Sequence, residues 1–107
     1  MIKDIISRCT PQADFRIPIL IALEVLGGSA YRREVLAKVG EMLAGILTEA
    51  DWQLVDSKSK QVYWQNLASW ERKKMIADGL LAVDSPFGKW ELTEKGRNHL
   101  NSLACAA

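Results

Sequence analysis

Apolar residues recur along the chain with two different periods. Between positions 17 and 26, Ile17, Leu20, Ile21, Leu23 and Val25 crowd a segment that opens on Pro18, a residue favoured in a first helical turn, and closes at the helix stop Gly27-Gly28. The pattern predicts a buried helix. After Ser29, a candidate cap, the residues Tyr31, Val35, Val39, Met42 and Leu43 return at steps of three and four, and Glu34 stands four before Lys38. A second helix is expected there, its apolar stripe turned toward the first. Thr48-Glu49-Ala50-Asp51 reads as the capped start of one short helical turn, with Trp52 behind it as a plug for the core. The DSKSK run at 56–60 is polar and turn-like.

A third helix is predicted over 61–78. With successive residues about 100° apart, Tyr63, Trp64, Leu67, Ala68, Trp70 and Met75 fall on one side, and Glu71 and Lys74 intrude among them. The other side carries Gln65, Asn66, Ser69, Arg72 and Lys73, with Val62 and Ile76 at its ends. Gly79 stops this helix. Leu80-Leu81-Ala82-Val83 is then a short apolar run bounded by turn signals, and Lys89-Trp90-Glu91-Leu92 alternates in character beyond the turn Asp84-Ser85-Pro86-Phe87-Gly88. The two runs predict a β-hairpin, with Trp90 and Leu92 on one face and Lys89 and Glu91 on the other. Thr93 caps a final helix reaching about residue 103. Helix, helix, short turn, helix, hairpin, helix is the layout of a winged helix-turn-helix, a mainly α fold in which a small β-hairpin flanks the helix that enters the major groove.

Composition narrows the picture without changing it. The 107 residues suit one domain with one core at about 15–103 and an amino-terminal extension at 1–14. With 49% hydrophobic and 25% charged residues, the chain is neither disordered nor of low complexity. Cys9 and Cys105 lie near opposite ends, without metal-site spacing or a disulfide framework, which fits a reduced, cytoplasmic setting. The longest apolar run is broken by Glu24 and falls well short of the roughly 20 residues of a membrane span. The opening MIKDIISRCTPQ mixes Asp4 and Arg8 into its apolar residues, unlike a signal sequence, so no membrane partner is expected. A net charge of +1 carries no overall basic signature. Placement is uneven, however: between 57 and 74, Lys58, Lys60, Arg72, Lys73 and Lys74 face the single acid Glu71.

The run Trp70-Glu-Arg-Lys-Lys-Met-Ile-Ala-Asp-Gly79-Leu-Leu, followed by Phe87-Gly88-Lys-Trp90-Glu-Leu-Thr93-Glu-Lys-Gly96, resembles the amino-terminal domain of Mrr-type restriction proteins. That pattern has a Trp nine residues before Gly-Leu-Leu, then Gly-x-Trp-x-Leu-Thr-x-x-Gly. The likeness extends upstream to the early helix with its proline and Gly-Gly stop, and to Leu47-Thr48-Glu49-Ala50, covering about residues 15–100. The chain departs from it at Glu71, where the family usually has a small apolar residue, and at Lys74, where it has an aromatic. The resemblance implies a winged-helix DNA-binding module that precedes a nuclease domain in full-length members.

Side-chain type then supplies the candidate chemistry. Amide side chains pair with adenine and guanidinium with guanine, so Gln61, Gln65, Asn66 and Ser69, toward the helix start, are candidate base readers. Lys58, Lys60, Arg72 and Lys73 are candidate phosphate contacts, and Lys89 in the wing is a candidate for a phosphate or the minor groove. For each, a solvated surface is the plainer alternative. Arg32 and Arg33 divide evenly between the DNA backbone and an exposed first turn. Trp64, Trp70 and Trp90 read as core, although an aromatic pocket for a flipped base is the alternative. Glu71-Arg72-Lys73 has the Glu-x-Lys form of a restriction nuclease site, but it sits within a helix, without the strand-borne acid such a site needs. A contact from Glu71 to Lys73 or Lys74 is the simpler expectation. His99 has no partner for a nucleophilic triad, and Gly27-Gly28-Ser29 lacks a phosphate loop's lysine.

The sequence thus points to a non-enzymatic, cofactor-free module that binds double-stranded DNA in a sequence- or modification-dependent way. Its role would be the targeting part of a restriction or defence system, with a separate nuclease or methyltransferase subunit, or a small transcriptional regulator. The competing class is a non-catalytic protein-interaction module, and a homodimer is compatible with either.

Overall fold

The computed structural model describes residues 9–56, 58 and 60–106, with side-chain surroundings up to residue 103. Most of the amino-terminal extension, Ser57 and Ser59 of the polar run, and the Cys105 side chain lie outside the described residues. A 3-10 turn over Gln12–Phe15 leads into α1 (Arg16–Val25). The chain continues through β1 (Ser29–Tyr31), α2 (Arg32–Met42), α3 (Tyr63–Ala77), β2 (Lys89–Glu91) and α4 (Glu94–Ala106). This is the mainly α, winged helix-turn-helix arrangement that the pattern predicts, with α2 and α3 as the helix pair.

The first helix ends as expected. Gly27 and Gly28 take φ of 96° and 100°, and the Gly28 N–H returns to the Leu23 carbonyl at 2.7 Å. The next three residues depart from the expectation. Ser29 does not cap a helix; residues 29–31 form a strand, antiparallel to β2, with Ala30 opposite Trp90. Alternation explains it: Ala30 is buried opposite the buried Trp90 while Tyr31 is half-exposed. The ladder is closed at both ends, by Leu92 N–H to Gly28 O at 2.8 Å and Arg32 N–H to Gly88 O at 2.9 Å. The expected partner of β2, residues 80–83, contributes less. It makes one bridge, Leu81 to Leu92, through Ala82 N–H to Glu91 O at 2.9 Å and Thr93 N–H to Leu80 O at 3.1 Å, and Val83 points into water. The hairpin is therefore a ribbon whose main pairing is with a strand from before α2.

Between α2 and α3 the chain makes two turns. Thr48 and Asp51 bond reciprocally as a capping pair: Thr48 N–H donates to Asp51 Oδ2 at 2.9 Å, and Asp51 N–H donates to Thr48 Oγ1 at 3.3 Å. Asp51 is fully buried, and Thr10 supplies its remaining donors through N–H and hydroxyl, both at 2.8 Å. A buried carboxylate with three donors has its charge compensated in place. Trp52, expected as a core plug, is instead 51% exposed and sets its ring edge against Trp64 at 5.5 Å. The central plug is Trp64, stacked on Phe15 at 5.9 Å.

The third helix starts at Tyr63 rather than 61 because residues 54–55 pair with 61–62, holding them extended. Val62 gives no side-chain cap. The carbonyls of Gln53 and Asp51 accept the Tyr63 and Trp64 N–H groups at 2.7 and 3.0 Å, which supplies the partners a cap would. Along α3 the buried positions are Trp64, Ala68, Glu71 and Met75, one stripe at helical spacing. Glu71, at 2% exposure, belongs to that stripe and does not intrude on it. Its Oε2 accepts from Arg16 Nε at 2.6 Å and its Oε1 from Gln12 at 3.1 Å, while Arg16 reaches Asp78 at 2.8 Å. The expected contact to Lys73 or Lys74 is replaced by this one, since those side chains point outward. Burial alone would lower the Arg16 pKa, but hydrogen bonds to the two carboxylates outweigh it and raise the group above its ordinary value.

Thr93 caps α4 as expected, accepting the Gly96 N–H at 3.0 Å and donating to Gly79 O at 2.6 Å. Gly79, at φ 82°, ends α3. Gly96 is required for a different reason: an added Cβ would collide with the Leu80 carbonyl oxygen, so only a hydrogen there lets α4 lie on the wing.

Three variants test this framework in urea titrations. Gly96→Ala should lower stability by about 1–3 kcal/mol through overpacking, whereas helix propensity alone would raise it by up to roughly 1 kcal/mol. Arg16→Met should cost about 3 kcal/mol by stranding the buried Glu71, and Arg16→Met with Glu71→Leu should recover most of that loss.

Candidate nucleic-acid interface

The outward side of α3 borders an open groove of ≈ 560 Å³ that runs from the start of the helix to the amino end of α2. Six of the sequence-derived candidates line it: Lys60, Gln61, Gln65, Asn66, Ser69 and Lys73. The loop before α3 places the first two. Lys60 adopts a left-handed backbone, φ 54°, at the corner where the chain enters the extended pair with residues 54–55, and its side chain is exposed. Gln65, Asn66 and Ser69 are half-buried and Lys73 is exposed, so none is covered by the interior.

Two further residues complete the lining. Arg32 comes from the first turn of α2 and donates from Nε to Ser69 Oγ at 3.2 Å, while the Ser69 hydroxyl donates to the Gln65 carbonyl at 2.9 Å. The sequence left Arg32 undecided, because only the seating of α2 and α3 together on α1 brings its side chain across to Ser69. Trp70, expected in the core, is 52% exposed at the groove, and Lys73 Nζ lies 4.6 Å from its ring centroid. The misplacement is one of arc width. Trp70 stands about 120° around the helix from Trp64, at the edge of the wide apolar arc and outside the narrower buried stripe of Trp64, Ala68, Glu71 and Met75.

Three candidates lie apart from the groove. Lys58 is exposed in the preceding turn, where its N–H donates to Asp56 Oδ1 at 2.8 Å. Arg72 is half-buried with its guanidinium 5.5 Å from the Trp90 ring centroid, and its Nε is buried without a protein acceptor. Burial lowers the Arg72 pKa from its ordinary value, though a guanidinium stays cationic at any physiological pH. It joins α3 to β2 as a packing cation. Lys89 is half-buried on β2, with Nζ 6.0 Å from the Tyr31 ring centroid.

The groove therefore holds three cations, three amide side chains, a hydroxyl and an aromatic edge, and no carboxylate among its described lining residues. Such a surface can neutralise phosphates and offer paired donors and acceptors to base edges. The Glu71-Arg72-Lys73 triplet does not form a metal site, because both Glu71 oxygens already accept from Gln12 and Arg16. His99 is exposed on α4.

Comparison with known families bears on this arrangement: the family described as Mrr N-terminal domain matches residues 13–102. The chain belongs to that family. The match covers every element from the 3-10 turn to most of α4, so the groove, the wing and the Glu71 pair all lie within it. The Mrr N-terminal domain is associated with restriction systems, and it is not their catalytic nuclease domain. Comparisons with curated proteins and with solved structures return no match. No helix among the described residues is long and apolar enough to cross a membrane.

The two neighbouring cations of α3 should separate in a stability measurement. Arg72→Ala removes the cover from Trp90 and should cost on the order of 1 kcal/mol, whereas Lys73→Ala should stay within about 0.5 kcal/mol of the parent. Chemical denaturation midpoints of the two variants check this directly.

Proposed function

We propose that this Mrr N-terminal domain binds double-stranded DNA, with α3 directed at the major groove and the ribbon of residues 81–92 against the backbone or minor groove. The observation that carries the reading is the lining of the α3 groove, where Arg32, Lys60 and Lys73 converge with Gln65 and Asn66 and no carboxylate competes among the described residues. Lys60, Lys73 and Arg32 are assigned to phosphates, and Gln61, Gln65, Asn66 and Ser69 to base edges. Arg72 is assigned to holding the helix on the wing, with Lys58 and Lys89 as flanking charges. The biological role is targeting, with cleavage or modification supplied by another domain or subunit, or transcriptional control where no such partner exists.

A second reading, a protein-interaction or dimerisation module, draws on a different surface. An apolar groove of ≈ 390 Å³ lies between α1 and α4, bordered by Ile17, Ile21, Val25, Leu100 and Leu103. Ile17 and Val25 are well exposed there.

Duplex binding measured across a range of salt separates the two. For DNA binding, log affinity should fall linearly with log salt, by about 0.9 per phosphate contacted, and Lys60→Ala with Lys73→Ala should make the slope shallower by up to about 1.8. Gln65→Ala and Asn66→Ala should change preference among sequences more than they change the slope. Absent or salt-insensitive binding to several duplexes, methylated and unmethylated, would instead favour the interaction module.

A further inference from the structure

The wing tip carries a side chain that the fold does not use. Phe87 is fully exposed, at 102% of its reference surface, between Pro86 and Gly88 in the turn that precedes β2. Scattered exposed apolar residues are ordinary, but this ring is held out by a braced turn. Pro86 restricts its own backbone and accepts the Lys89 N–H at 3.0 Å. Gly88 takes φ 78°, and its carbonyl accepts the Arg32 N–H at 2.9 Å. Two residues further, Trp90 anchors β2 in the core. The ring is thus carried on a short, fixed arm.

The surroundings of the arm are cationic on one limb. Lys89 Nζ lies 6.0 Å and Arg33 Cζ 5.7 Å from the centroid of the half-exposed Tyr31 ring, so two cations share one aromatic beside the tip. Asp84 is exposed on the other limb. A bare apolar ring next to paired cations is complementary to a polymer that is anionic outside and apolar between its stacked bases. Arg32 fixes the relation to α3: its backbone holds the wing turn, and its side chain lines the α3 groove through Ser69. Tip and groove are therefore registered to each other by one residue.

We propose that Phe87 is a minor-groove wedge: with α3 in the major groove, the wing presses this ring between two base pairs, partly unstacking one step and bending the duplex. Arg33 and Lys89 contact the flanking phosphates. The inference rests on the DNA-binding reading and adds to it a deformation and a second source of specificity. Pyrimidine–purine steps unstack most readily, so preferred sites carry such a step at a fixed offset from the bases that α3 faces.

The full chain should be mixed with a duplex that carries end labels for energy transfer and 2-aminopurine at successive positions, across a salt series. The wild type is expected to bend the duplex by about 20–90° and to brighten 2-aminopurine at one step. Phe87→Ala, which removes no buried group, should fold normally, lose the bend and the local signal, and bind about tenfold more weakly, while keeping the salt slope. Phe87→Leu should retain the bend. Salt-dependent binding with the same bend and the same 2-aminopurine signal in Phe87→Ala would overturn the wedge and leave the DNA reading standing. Failure of the wild type to bind any duplex in a salt-dependent way would overturn both.

Discussion

The Glu71 carboxylate, carried into the core on α3 and met there by Arg16, is the constraint on which the geometry of the domain turns. A buried carboxylate is tolerable only with donors already in place, and Arg16 Nε at 2.6 Å with Gln12 at 3.1 Å supplies them. Both donors come from the segment leading into α1, and Arg16 also reaches Asp78 at the far end of α3. The pair thus sets the angular position of α3 about its own axis as well as its distance from α1. A helix buried only by Trp64, Ala68 and Met75 could turn by some tens of degrees and still hide apolar surface, because hydrophobic burial is non-directional. An ion pair with a planar fork allows far less rotation. The outward presentation of Asn66, Ser69, Trp70 and Lys73 is the other side of that restriction.

The wing depends on the same helix by a different route. Trp90 on β2 is buried, Arg72 of α3 lies over its ring, and the small Ala30 on β1 is its register partner. At the other end of the ribbon, Gly96 permits α4 to touch the Leu80 backbone, and Thr93 joins the end of α3 to the start of α4 through Gly79. Because β1 lies between α1 and α2, pairing it with β2 closes the wing onto the helix pair. The surface made by α3, the amino end of α2 and the tip is therefore joined through Arg32, which bonds both the Gly88 carbonyl and Ser69.

The helices, their stops and the winged layout were legible because they rest on local signals: Gly27-Gly28, Gly79, the Thr93 cap and the three-four spacing of Val35, Val39 and Leu43. What the sequence obscured was longer in range. Ser29-Ala30-Tyr31 is too short to show alternation, and its strand character comes from Trp90, some sixty positions away. Glu71 looked like an intrusion because an acid on an apolar stripe is a conflict until its partner is known, and Arg16 is 55 residues distant. Counting every apolar residue of the helix into one arc made the inferred stripe wider than the buried one, and its far edge took in Trp70, the one exposed tryptophan of the helix. Arg72, read from the sequence as a phosphate contact, has its guanidinium over the Trp90 ring in the fold. Gln65, Asn66, Ser69 and Lys73 line the groove and lie far enough around the helix to stay off either version of the stripe.

The net charge of +1 is uninformative for a reason the structure makes plain. Many of the carboxylates are committed away from the α3 groove. Glu71 and Asp78 hold Arg16, Glu24 holds Arg97 on the α1 and α4 side, Glu41 pairs with Lys38, and Asp51 is enclosed by Thr10 and Thr48. Each of these pairs removes an acid that would otherwise compete for a groove cation. Arg32, Lys60 and Lys73 face a concave surface with no carboxylate among its described lining residues, where a few charges produce a stronger local potential than the same charges on a convex surface. Pairing of acids with partners outside the groove, and not the total charge, leaves this near-neutral chain a groove with cations and no carboxylate among its described lining residues.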